Sequence, residues 1–157
     1  MKNGKVEVNV RSVLPTSNGC AVFIGNNDKT FVIYVDHSVG AAIAMFMRGT
    51  AKERPLTHDL IANVFAGLGV KMQCIVINDL KNSTYFARMF LTAENELGKK
   101  ILEIDARPSD SIAMAIQQKC PIYVSKHVFD QVEDMSEVLN KMNQEITEES
   151  DEGEEEE

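Results

Sequence analysis

Apolar and polar side chains alternate at the start of the chain. Val6, Val8 and Val10 fall on one face and Glu7, Asn9 and Arg11 on the other, the two-residue period of a half-buried strand. "CAVFIG" and "TFVIYV" are continuous apolar runs separated by "NNDK", which predicts a buried hairpin with a polar turn. Residues 38–49 are apolar nearly all round and end in Gly49, a buried helix with a glycine stop. After a connector over 50–56, a second helix is predicted from about 58 to 68. Its stripe is Leu60, Ile61, Val64 and Leu68, and Gly69 is its stop. Strands over 70–78, 84–91 and 100–105 follow, joined by turns rich in Asn, Gly and charge. Then come an amphipathic helix over 109–119, the short strand "PIYVS", and a broken helical region over 128–146. Strands interrupted by helices without strict alternation imply an α+β fold, with a mixed, largely antiparallel sheet packed with helices. It forms a single domain over residues 1–146, and residues 147–157 form a disordered acidic tail.

Charge sharpens this division. The net charge of −8 is concentrated in "EITEESDEGEEEE", which holds nine of the 24 acidic residues and no basic one. The first 144 residues keep 15 acids against 16 Lys and Arg, a nearly neutral body without the basic block that drives non-specific DNA binding. No apolar run approaches the ~20 residues needed to span a bilayer, and the N-terminus lacks the apolar core of a secretory signal. Cys20, Cys74 and Cys120 are widely spaced in apolar surroundings, which suits reduced, buried thiols and a cytoplasmic location.

Two phrases stand out for chemistry. "RPLTHDL" (Arg54 to Leu60) and "RPSDSI" (Arg107 to Ile112) each open a predicted helix with Arg-Pro, a hydroxyl residue and an Asp. Capping accounts for part of this: Thr57 and Ser109 can serve as N-caps, and Asp59 and Asp110 as first-turn partners of the helix dipole. It leaves His58, Arg54 and Arg107 unexplained. Helix N-termini are also anion sites, and an adjacent Arg adds a bidentate phosphate donor. Glu103 and Asp105, two apart on a strand, share a face. With Asp110 they could gather a divalent metal such as Mg²⁺ or Mn²⁺, while His58 and Asp59 could move protons. Arginine, phosphate and a carboxylate-bound metal are the components of phosphodiester hydrolysis. The bland alternatives are core methionines at Met45, Met47, Met89 and Met114, a loop or cap role for His37, and a surface position for His127. Strand alternation puts one of Tyr85 and Phe86 inside, leaving the other for base stacking.

"RPLTHDL", "VINDLKNSTYFARM" and "EIDARPSDSIAMAI", in that order and spacing, resemble the bifunctional nuclease domain family of bacteria and plants over about residues 6–124. The resemblance implies a compact α+β domain, nuclease activity on DNA and RNA, and self-association, a dimer being the simplest form. By matching position its polar residues are Arg54, Thr57, His58, Asp59, Asp105, Arg107, Ser109 and Asp110. His58, Asp59, Asp105 and Asp110 are then the catalytic candidates. Arg54, Thr57, Arg107 and Ser109 would bind substrate, and Glu103, Asp105 and Asp110 would hold metal. One position departs: where members read Ile-Gly-x-x-Glu entering the first helix, this chain has Val39, with Asp36 and His37 just before it. The rival reading is a non-catalytic, oligomeric module that holds an anion or a partner's carboxylate. A third treats both phrases as caps and salt bridges.

Overall fold

The computed structural model describes the backbone of residues 4–154 and side chains through Asp151. Seven strands form one sheet: β1 (Lys5–Thr16), β2 (Gly19–Gly25), β3 (Thr30–Val35), β4 (Val70–Lys81), β5 (Thr84–Asn95), β6 (Gly98–Ala106) and β7 (Ile122–Ser125). Their order is β3-β2-β1-β7-β4-β5-β6. Every pairing is antiparallel except β4 with β7. Five helices complete the α+β domain: α1 (His37–Arg48), α2 (Thr57–Leu68), α3 (Pro108–Gln118), α4 (Lys126–Gln131) and α5 (Ser136–Glu154).

Strand β1 is longer than the alternating segment predicts. Residues 5–8 pair with β7 and residues 9–16 with β2, and an irregularity between Val10 and Ser12 interrupts the second pairing. Bulges of this kind bend a sheet. Helix α3 lies in the core, with Ser109 and every residue from Ser111 to Ala115 buried. It packs on α1 and on the face of β4 and β5 that carries Ile75, Ile77, Ala87 and Met89. The β4–β5 turn places Asn82 and Ser83 at φ 51° and 63°, the left-handed pair of a tight two-residue hairpin.

Gly49 and Gly69 end α1 and α2 in the left-handed conformation, as their placement predicts. Three expectations need correction. The α2 stripe is misplaced: Leu60, Val64 and Leu68 are exposed, and the packed face is His58, Ile61, Ala62 and Phe65. Both sets fit a 3.6-residue period, because α2 is apolar on most of its circumference. Met47 is exposed rather than core, whereas Met89 and Met114 are buried. The segment read as a disordered tail continues α5 to Glu154, and residues 155–157 lie outside the described residues. Glutamate is a good helix former, and the Thr147 and Ser150 hydroxyls bond back to the Asn143 and Thr147 carbonyls. The side chains from Asn140 to Asp151 are exposed, so this extension owes nothing to packing on the domain.

Candidate functional site

The N-termini of α1, α2 and α3 converge on one cleft of about 470 Å³, lined among others by Ser38, Val39, Thr57, His58, Arg107 and Asp110. Each helix begins differently. Asp36 caps α1, accepting hydrogen bonds from the Val39 amide at 3.0 Å and the Ser38 hydroxyl at 2.8 Å. The N-caps of α2 and α3 are Leu56 and Arg107, and neither helix has a side-chain cap. Thr57 and Ser109 therefore sit inside their first turns rather than capping them. Asp59 takes the Leu56 amide and Pro108 has no amide N–H, so the amides left to receive an anion are those of the first turns beyond them.

The two Arg-Pro phrases are also out of register. Arg107 is itself the N-cap of α3, whereas Arg54 lies two residues before the N-cap of α2. Arg107 consequently reaches the cleft, and exposed Arg54 makes no ion pair among the described residues. The two aspartates, each at the third position of its helix, diverge as well. Asp59 turns away, accepting from the Leu56 amide at 2.8 Å and the Gln117 side chain at 2.9 Å and pairing with Lys52 at 3.2 Å. It locks the start of α2 and does not line the cleft. Asp110 turns in. One oxygen lies 3.0 Å from His58 Nε2, and the other accepts from Arg107 Nε at 2.9 Å.

His58 is only 6% exposed, held edge-on to Phe46 and fixed by Asp110. Arg107 extends the chain of contacts to Asp36, 3.6 Å from Nη1. Burial alone would raise the Asp110 pKa, but the hydrogen bonds from Arg107 and His58 outweigh it and hold the carboxyl below its ordinary value. Asp36 is lowered by the Val39 amide, the Ser38 hydroxyl and Arg107. With His58 neutral, the side chains Asp36, Arg107 and Asp110 sum to −1. The positive ends of the helices offset this excess.

The expected metal set does not assemble. Met89 pairs with Ile104 and Leu91 with Leu102, which puts those β6 residues on the face that packs α3. Glu103 and Asp105, opposite Phe90 and Arg88, project from the other face by strand alternation. Glu103 lies 4.0 Å from Arg88. Asp105 is exposed. Among the described residues no group of three or more His, Cys, Asp or Glu is arranged to hold a metal ion. Glu103, Asp105 and Asp110 do not come together as donors for the ion. Convergence is thus confined to Thr57, His58, Arg107 and Asp110, with Ser109 in an adjoining cavity. Asp36 joins them; an Asp directly before an apolar helix is the signal that marks it. Val39, the departing position, is the third residue of α1, buried in the cleft wall. His37 is exposed, and His127 is an exposed surface residue 3.7 Å from Asp79.

Comparison with known proteins bears on this cleft. The profile of the bifunctional nuclease domain matches residues 22–137, which contain all three helix starts. An uncharacterised protein of Mycobacterium tuberculosis is 37% identical over 106 residues, 68% of this chain and 60% of its own length. Bifunctional nuclease 1 of Arabidopsis thaliana is 27% identical over 75 residues, covering 48% of this chain and 23% of the plant protein. Bifunctional nuclease 1 of Oryza sativa subsp. japonica is 22% identical over 103 residues, covering 65% and 30%. The chain spans about three fifths of the mycobacterial relative and under a third of the plant ones.

Proposed function

The chain belongs to the bifunctional nuclease domain family, and on that premise we propose that it hydrolyses phosphodiester bonds of DNA and RNA in the cleft between the three helix N-termini. The observation that carries this reading is the continuous chain His58–Asp110–Arg107 beside two helix starts that lack an N-cap side-chain hydrogen bond. Arg107 keeps guanidinium N–H groups beyond those it spends on Asp110 and Asp36, and these, with the first-turn amides of α2 and α3, hold the phosphate oxygens. Asp110 accepts a hydrogen bond from the His58 Nε2–H, which leaves the imidazole lone pair on Nδ1. Neutral His58 then takes a proton from the attacking water, the water oxygen bonds to phosphorus, and the leaving oxygen departs. Asp110 stabilises the imidazolium until His58 returns its proton to that oxygen. Water as nucleophile serves DNA and RNA alike, since no 2′-hydroxyl is required.

The test is cleavage of single-stranded DNA and RNA by the purified protein, with Mg²⁺, with Mn²⁺ and with chelator, so that any metal requirement is read directly. His58→Gln should lower the rate about 100-fold or more, the scale of losing a general base. Arg107→Lys should lower it comparably, because an ammonium cannot span two carboxylates and a phosphate. Wild-type rates in both variants would remove the proposal.

A second reading has one observation in its favour. Both oxygens of Asp110 are engaged and His58 is almost fully buried, which also suits a clasp that shapes a non-catalytic anion site. Phosphate or nucleotide binding without turnover is its signature. Self-association is proposed on the exposed α2 stripe of Leu60, Val64 and Leu68, because apolar patches on a surface favour burial against a partner. Sedimentation should show a dimer for the wild type and a monomer for Leu60→Asp. No helix among the described residues is long and apolar enough to cross a membrane. The three free thiols support a reducing compartment, the cytoplasm.

A further inference from the structure

We propose that a second cavity, across Arg107 from the cleft, is a nucleobase subsite that makes single-stranded nucleic acid the preferred ligand. The proposal rests on the phosphodiester reading for the position of the phosphate and adds what flanks it. The cavity measures about 350 Å³ and lies between the free edge of β3, the β4–β5 turn and the start of α3. Arg107 lines both this cavity and the cleft, so a phosphate held at its guanidinium has a nucleoside-sized space beside it. That volume is at the lower end for small-molecule sites, ~300–1,000 Å³, and is enough for one unpaired base.

The lining suits a base of any identity. Tyr34 and Tyr85 supply aromatic surface. Tyr85 is steadied by Phe31, with ring centroids 6.0 Å apart, whereas Tyr34 is 71% exposed on an edge strand. Stacking on tyrosine tolerates every base because each has a π-face. The hydroxyls of Ser83, Thr84 and Ser109 can each donate or accept toward a base edge. A duplex offers no such base without the cost of unstacking and unpairing it. A peptide adding to the β3 edge is the rival occupant, and it would not distinguish an oligomer that carries bases from an abasic one.

Fluorescence anisotropy separates these occupants. The probes are an octathymidylate, the same oligomer with abasic sites, and a blunt duplex, each measured at one fixed salt concentration. The wild type should bind octathymidylate about 10-fold more tightly than the abasic oligomer, the scale of stacking one base. Tyr34→Ala should abolish that discrimination with its melting temperature unchanged, and Tyr34→Phe should keep it. Equal affinity for the two oligomers, tighter binding of the duplex, or undiminished discrimination in Tyr34→Ala would each overturn the subsite. The two proposals fail separately. Discrimination without cleavage sinks hydrolysis and leaves the subsite standing. Equal binding and cleavage of both oligomers sinks the subsite and leaves hydrolysis standing.

Discussion

Replacing Asp59 by Asn tests whether the first of the two matching phrases is architecture. If Asp59 were only a dipole partner, the change would cost ~0.3–1 kcal/mol. The structure implies more. One carboxylate oxygen serves the Leu56 amide and Lys52, and the other serves the Gln117 side chain. An amide has one oxygen, so in either orientation its NH₂ group confronts an N–H donor in a half-buried setting. Losing such a capping bond and leaving a donor unpaired costs about 1–2 kcal/mol. For a chain of this size each 1 kcal/mol shifts Tm by roughly 2–4 °C, so Asp59→Asn should melt about 2–8 °C below wild type at pH 7. The pH dependence supplies a second check. Burial raises the Asp59 pKa, but the Leu56 amide, Lys52 and Gln117 together outweigh it, and the carboxyl lies below its ordinary value. A depressed native pKa contributes stability above the unfolded value, ~3.9, and loses it as pH falls through the native one. The gap between the two proteins, followed by circular dichroism, should therefore close below about pH 4. A gap under ~1 °C at pH 7, or one unchanged at pH 3, would refute this account of the α2 start.

Two other perturbations follow from packing and charge. A methyl group on Gly40 would come within 2.5 Å of Cys20 Sγ and 2.6 Å of its Cβ, so Gly40→Ala should cost about 1–3 kcal/mol as overpacking and lower Tm in a thermal melt; an unchanged Tm would mean that α1 is free to shift. A chain ending at Gln144 should melt within a few degrees of the full chain, because the α5 side chains beyond that point are exposed, and should bind oligonucleotide more tightly at low salt once nine carboxylates are gone. Weaker binding by the shortened chain would assign the acidic segment a positive role.

Much of the fold was legible because its signals were local. Alternation marked the start of β1, apolar runs marked β2 and β3, and Gly49 and Gly69 marked two helix ends. Long-range facts left no such trace. Helix α2 carries two overlapping apolar stripes, and only contact with α3 and β4 decides that Phe65 packs while Leu60 and Leu68 stay outside. The same limit applies to the site. His58, Arg107 and Asp110 carried a readable phrase, but the contact of His58 with Asp110 joins positions 52 residues apart. Asp59 and Asp110 share a helix position and part company because Lys52 and Gln117 draw one away while His58 and Arg107 draw the other in. The sheet face taken by Glu103 and Asp105 depends on register with β5, which spacing within β6 cannot supply.

Comparing cleavage of single-stranded DNA and RNA by wild type, Asp110→Asn and Asp59→Asn tests the central claim most directly. Each is assayed with Mg²⁺, with Mn²⁺ and with chelator, alongside its melting curve. The account predicts that the wild type cleaves, that Asp110→Asn loses about 100-fold or more as the His58 and Arg107 contacts lose their charge, and that Asp59→Asn keeps its rate despite the lower Tm. A wild type that cleaves nothing under any condition, or an Asp110→Asn variant as active as wild type, would contradict it.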